Sequence, residues 1–199
     1  MAIQHLNAKF AGTRPLLINN PQMADPLNEY KKAHAALTKK GVRRTEEDYA
    51  EIGRIEIKAK LYFDDTHGVY IPERWVTAAL CQVSFTTIKV AKAKIRSSVF
   101  LAQDKVPLNY RNKDRVKTVA DIVGNPEFQH KMLLPQNGVR VPKHCPIFHD
   151  WSFAFDLDYD DTVVDFDDVK VLLHQAANYG GFGDFRPTFG RCTVEVTRD

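Results

Sequence analysis

The chain has 199 residues, of which 44% are hydrophobic and 27% charged, with a net charge of +3. This is the balance of a soluble globular protein, long enough for one domain with insertions or for two small ones. No apolar run approaches the roughly eighteen residues of a membrane span, the first residues lack the pattern of a signal peptide, and Cys81, Cys145 and Cys192 form no disulfide framework, so a cytoplasmic protein is expected.

The small net charge hides a separation. Residues 31–117 carry an excess of nine positive charges and residues 150–199 an excess of seven negative ones. Two surface fields of opposite sign favour polyanion binding or head-to-tail self-association.

Residues 2–18 read as an opening strand bent at Gly12, closed by Asn19-Asn20-Pro21. A helix is expected over residues 27–38, then a basic loop, Lys39-Lys40-Gly41-Val42-Arg43-Arg44, which is either a clamp for a nucleic-acid backbone or a plain surface loop. Thr45-Glu46-Glu47-Asp48 has the form of a capping box, and Tyr49, Ile52, Ile55 and Ala59 continue a helix over residues 46–60. Asp64-Asp65-Thr66-His67-Gly68 is a turn whose acids and histidine could also hold a metal or act on an RNA 2′-hydroxyl.

Val69-Tyr70-Ile71-Pro72 is extended, and Trp75, Ala78, Ala79 and Leu80 place an apolar stripe on a helix over residues 73–84. Lys89, Lys92, Lys94 and Arg96 follow. In a helix Lys89, Lys92 and Arg96 share a face, and in a strand Lys92, Lys94 and Arg96 do, so either geometry makes a basic stripe for phosphate contacts. A strand is expected over residues 97–102, a short helix near 116–123, and a hairpin joining 132–134 to 139–141 through Gln136-Asn137-Gly138. His144-Cys145 and His149 do not match a zinc pattern, and no metal or other cofactor is expected.

Alternation in residues 151–159 predicts a strand that buries Trp151, Phe153, Phe155 and Leu157. Asp165 is the expected N-cap of a helix over residues 166–178, and residues 190–197 close as a strand. Between them lies Tyr179-Gly180-Gly181-Phe182-Gly183-Asp184-Phe185-Arg186-Pro187-Thr188-Phe189-Gly190-Arg191. Its glycines could expose backbone N–H groups as an anion cradle beside Arg186 and Arg191, and Phe182 and Phe185 could stack on bases. The alternative is a helix-to-strand turn whose phenylalanines return to the core.

The element order is βαββαβ, the ferredoxin-like plan: an α+β fold with an antiparallel sheet and two helices packed on it. The expectation is a single domain over residues 1–199, with a helical insertion at about 20–70 and a second of loops and a hairpin at 103–149.

Gly68-Val69-Tyr70-Ile71-Pro72, followed by a helix reaching Ala78-Ala79-Leu80, resembles a conserved-looking segment of the RAMP superfamily, the RRM-like proteins of CRISPR effector complexes. The glycine-rich tail through Cys192-Thr193-Val194-Glu195-Val196 resembles that family's C-terminal loop and last strand. The whole chain is also similar to a group of uncharacterised phage and prophage proteins. The match departs at Glu73-Arg74-Trp75, where the family has small residues, at Cys81, and at Asp184 within the glycine loop.

The resemblance implies an RRM-like fold and non-catalytic binding of single-stranded RNA or DNA, by a protein that self-associates along the strand in the cytoplasm of a host cell. Lys39, Lys40, Arg43, Arg44, Lys89, Lys92, Lys94, Arg96, Phe182, Phe185, Arg186 and Arg191 are the expected contacts. The lysine-rich segment and the glycine loop are expected side by side on an open β-platform. The competing readings are a metal-independent endoribonuclease using Asp64, Asp65 and His67, and a phage structural or inhibitory protein that binds another protein.

Overall fold

A computed structural model describes residues 3–198. The strands are β1 (Ile3–Gly12), β2 (Leu16–Leu17), β3 (Phe63–Asp64), β4 (Gly68–Pro72), β5 (Val99–Leu101), β6 (Lys105–Pro107), β7 (Gln129–Gln136), β8 (Val139–Phe148), β9 (Ser152–Asp160) and β10 (Cys192–Arg198). The helices are α1 (Glu29–Thr38), α2 (Glu46–Lys60), α3 (Glu73–Ile88), α4 (Lys92–Ser98), α5 (Val119–Val123) and α6 (Phe166–Gln175). They fall into two compact units. Among the described residues the first comprises 3–16, 64–113 and 148–198, and the second 17–63 and 114–147.

The first unit is built on a sheet of order β10-β1-β9-β5 in which every pairing is antiparallel. Helix α3 lies between β1 and β5 in sequence, and α6 lies between β9 and β10. Each crossover passes over an intervening strand, which is the split βαβ arrangement of ferredoxin-like folds.

The pleat explains the core. Leu6, Ala8 and Phe10 on β1, Phe153, Phe155, Leu157 and Tyr159 on β9, and Trp151 just before it, point to one face and are buried. Helix α3 covers that face with Val76, Ala79 and Leu80, and α6 with Val169, Leu172 and Leu173; the two helices also touch each other. Phe10 stacks on Phe153 with ring centroids 5.0 Å apart. Each such fully buried ring contributes about 1.5–3 kcal/mol of transfer free energy.

The opening strand differs from its expected span, whose first residue, residue 2, lies outside the described residues. Residues 3–12 belong to the large sheet, but Leu16–Leu17 pair with β8 in a separate sheet of order β2-β8-β7. The break falls where the Trp151 indole lies against Gly12, so closely that any side chain there would overlap the ring. The Trp151 indole N–H donates to the Arg14 carbonyl at 2.7 Å, and Thr13 N–H donates to the Arg191 carbonyl at 2.8 Å. These bonds take the chain out of the ladder.

In the second unit, Thr45 caps α2 as a full capping box: its hydroxyl accepts from Asp48 N–H, and the Asp48 carboxylate accepts from Thr45 N–H at 2.9 Å. Strands β7 and β8 form a long hairpin turning at Asn137 and Gly138, both with positive φ. This is the Asn-Gly chemistry of a tight hairpin turn.

Candidate nucleic-acid interface and neighbouring sites

The basic segment is helical for most of its length. Helix α3 runs to Ile88, and Lys89 ends it in the left-handed conformation at φ 61°. After Val90 and Ala91 the chain restarts as α4, which buries Ile95 and Ser98. The expected strand over residues 97–102 therefore begins as helix, and only Val99–Leu101 pairs. Lys89, Lys92, Lys94 and Arg96 are all exposed, and among the described residues none makes an ion pair. The Lys89 ammonium sits 5.8 Å from the centre of the Phe85 ring, a ring that is 61% exposed, and Phe100 on the neighbouring edge strand is 46% exposed. Cationic and aromatic groups at one corner of the sheet can engage phosphates and unstacked bases together.

The glycine-rich tail is a different object. A single π turn, Ala176–Gly180, extends α6. Gly181 N–H then donates to the Ala176 carbonyl, Phe182 N–H to Gly190 and Gly190 N–H to Pro15, all at 2.7–2.9 Å. Those donors are consumed inside the loop, so they cannot cradle an anion. Phe182 is 1% exposed and meets Phe10 and Phe153 edge-on at 5.1 and 5.2 Å. It is a core residue, and the expectation that it stacks on bases is corrected: the glycines on either side let the backbone fold its ring inward. Arg191 is half-buried with its Nε enclosed and without a hydrogen-bond partner, whereas Phe185 and Arg186 are exposed.

The sheet also separates what the sequence expectation joined. Helix α4 leads into β5 and the glycine loop into β10, the two opposite edges of the four-stranded sheet. Val99 is level with Tyr159 and hence with Gln4, while Cys192 is level with Gly12. The two segments therefore occupy diagonal corners, on the order of 30 Å apart from strand spacing and rise. The open face between them is acidic. Asp156, Asp158, Asp160 and Glu195 share it with His5, Asn7 and Lys9, and the His5 ring nitrogen lies 2.6 Å from Asp158. Phosphates would be repelled there, so the common β-platform is not formed.

The hexad of residues 39–44 lies in the second unit. Lys39 and Arg43 are exposed. Lys40 is committed to Asp48 at 2.6 Å, and this bond, more than any other, lowers the Asp48 pKa. Arg44 donates from Nε to the Gly41 carbonyl and covers the Tyr49 ring at 5.0 Å.

The turn at residues 64–68 is held together by Asp64. Its carboxylate accepts from Thr66 and His67 N–H, meets His67 Nδ1 at 2.9 Å and takes a bond from Lys105 Nζ at 2.9 Å. The His67 N–H and then Lys105 hold its pKa far below the usual carboxylate range. The same bonds that close the turn orient the His67 ring, so the constellation is structural by construction and also fit for proton transfer. Asp65 is not drawn into this network by any of these bonds.

One cluster carried no functional expectation. Glu56 faces inward from α2, its side chain 3% exposed. It accepts from His144 N–H at 2.7 Å and Lys143 Nζ at 3.1 Å, and lies 3.3 Å from His144 Nδ1 and 3.4 Å from His34 Nε2. Burial by itself would raise its pKa, but the bonds from His144 and His34 and the Lys143 charge outweigh it and hold the carboxyl well below its ordinary value. The signal was present in the sequence: Glu56 is four residues after Ile52 and three before Ala59, so it sits on the apolar stripe of its helix. Among the described residues no group of three or more His, Cys, Asp or Glu is arranged to hold a metal ion. None of the described helices is long and apolar enough to cross a membrane.

No family model matches the chain, and no curated protein matches it. Among solved structures the chain is similar to that of Cmr6 from Pyrococcus furiosus, at 12% sequence identity and a TM-score of 0.34, over 98% of this chain and 100% of that one. A likeness at that level carries no argument about the site, and the fold assignment stands on the strand order and pairing described above.

Proposed function

We propose that the protein binds single-stranded nucleic acid through its backbone, without cleaving it, at the corner of the first unit formed by α4 and the end of α3. The observation that carries this reading is that Lys89, Lys92, Lys94 and Arg96 are exposed together without a carboxylate partner. Unpaired cations at the end of α3 and along α4 displace the counterions of the phosphates they meet, whereas paired ones would first have to break their bridges. Phe85 offers a ring face beside Lys89. The contact set is smaller than the sequence suggested, because Phe182 belongs to the core and the tail lies at another corner.

The test is affinity for a short labelled oligonucleotide against salt. Four phosphate contacts predict a slope of log K against log salt of about −3. Lys92→Glu with Arg96→Glu should remove most of the binding. A slope near zero, or unchanged binding in that variant, refutes the reading.

A second reading, metal-independent RNA cleavage, is favoured by one observation, the His67 ring oriented by Asp64 beside Lys105. It requires that RNA is cut in the presence of a chelator and that His67→Ala abolishes the cut.

A further inference from the structure

The second unit contains a cleft of about 610 Å³ between α1, the start of α2 and the β7–β8 hairpin. This is the size of an ordinary small-molecule site. Its lining is mixed. Ile52, Val139, Val141 and Pro142 supply apolar lining, and Lys31, His34 and Arg44 supply basic groups. Three permanent cations, Lys31, Arg44 and Lys143, face one carboxylate, Glu56. That carboxylate is already engaged by His144 N–H and Lys143 Nζ, with His34 Nε2 3.4 Å away. Lys143 is therefore committed, while Lys31 makes no ion pair among the described residues and is exposed. Arg44 spends only Nε on the Gly41 carbonyl, which leaves the two terminal nitrogens of its fork. Arg44 is held over the Tyr49 ring and His34 lies beside Glu56 before any ligand arrives.

We propose that this cleft binds a small phosphate ester with an apolar or aromatic body, of the nucleoside monophosphate class. The phosphate meets Lys31 and the Arg44 fork, and the body lies against Ile52, Val141 and Pro142. A planar guanidinium suits phosphate because two parallel N–H bonds match two oxygens. A bare anion would leave the apolar lining unused, and an uncharged nucleoside would leave the cations without a partner.

The experiment is titration of the full chain with adenosine monophosphate, orthophosphate and adenosine, followed calorimetrically or by amide chemical shifts. The monophosphate should saturate at submillimolar concentration, orthophosphate should bind at least tenfold more weakly, roughly the worth of 1.4 kcal/mol, and adenosine should not saturate. Lys31→Ala with Arg44→Ala should weaken the monophosphate at least about tenfold, since both cations that meet the phosphate are then lost. An unfolding midpoint close to that of the parent shows the double variant folded; Lys31→Glu alone, on an exposed position, gives the same reading without touching the Arg44 contacts. The site is distinct from α4, so Lys92→Glu with Arg96→Glu should leave monophosphate binding unchanged whether or not the oligonucleotide binds. No saturable binding of the monophosphate, equal affinity for orthophosphate, or full affinity in the Lys31 and Arg44 variants would overturn the proposal.

Discussion

Replacing Glu56 with alanine tests the buried charge cluster of the second unit. The carboxylate receives a 2.7 Å bond from His144 N–H and a 3.1 Å bond from Lys143, and it neighbours two histidine rings. Hydrogen bonds to a charged group are worth about 1.5–3 kcal/mol each, and an orphaned buried donor costs about 1–3 kcal/mol. Two effects reduce the total. Lys143 is 31% exposed, so its attraction is screened to at most about 1 kcal/mol. The carboxylate also gives back its own desolvation cost when it is removed. The expected net loss for Glu56→Ala is about 3 kcal/mol. Glu56→Gln keeps an acceptor for His144 N–H and should cost about half as much.

Urea unfolding at neutral pH reads both, as a shift in midpoint at constant slope. The pH profile adds a check. Because the folded-state pKa is depressed, the stabilisation is fully present above the ordinary glutamate value of about 4.3 and is lost as pH falls through the folded one. The gap between parent and Glu56→Gln should therefore persist from neutral pH down to about 5 and close only in stronger acid. A loss below about 1 kcal/mol for alanine, or glutamine no better than alanine, would refute the reasoning.

Phe182→Ala should cost about 3–5 kcal/mol in the same assay, as a core cavity does, while Phe185→Ala should stay within about 1 kcal/mol. Equal effects would contradict the inward ring of Phe182. Gly190→Ala should prevent accumulation of folded protein in soluble expression, because φ is +74° and a Cβ there would overlap the Phe182 carbonyl. Thr45→Ala should lower stability by about 1 kcal/mol through loss of the capping box, seen as a small fall in the urea midpoint.

What the sequence made legible was mostly local. The capping box at Thr45 places the start of α2 at Glu46, and alternation from Trp151 to Leu157 gives β9 its buried face. Asp165 caps α6 by accepting from Asp168 N–H at 2.8 Å. The element order yielded the ferredoxin-like plan because each element carries its own period. Sheet membership was not legible in the same way. Residues 2–18 show one weak alternation, but the partner of Leu16–Leu17 is β8, and nothing near residue 16 encodes that. The tail deceived for a related reason. Glycine beside phenylalanine is equally apt for an exposed cradle or an inward fold, and the choice rests on Phe10 and Phe153, both remote in sequence. Glu56 was passed over because charge on a helix is usually solvated, although its phase on the apolar stripe pointed inward.

The pairing of β1 carries a consequence for how the first unit comes together. Its neighbours on either side are β9 and β10, both joined to it only across nearly the whole intervening chain. No hairpin can form early to hold β1, and its apolar residues Leu6, Ala8 and Phe10 have no local shelter. The sheet is thus a structure of high contact order, for which slow assembly is the general rule. Until β9 is made, β1 has neither of its partner strands.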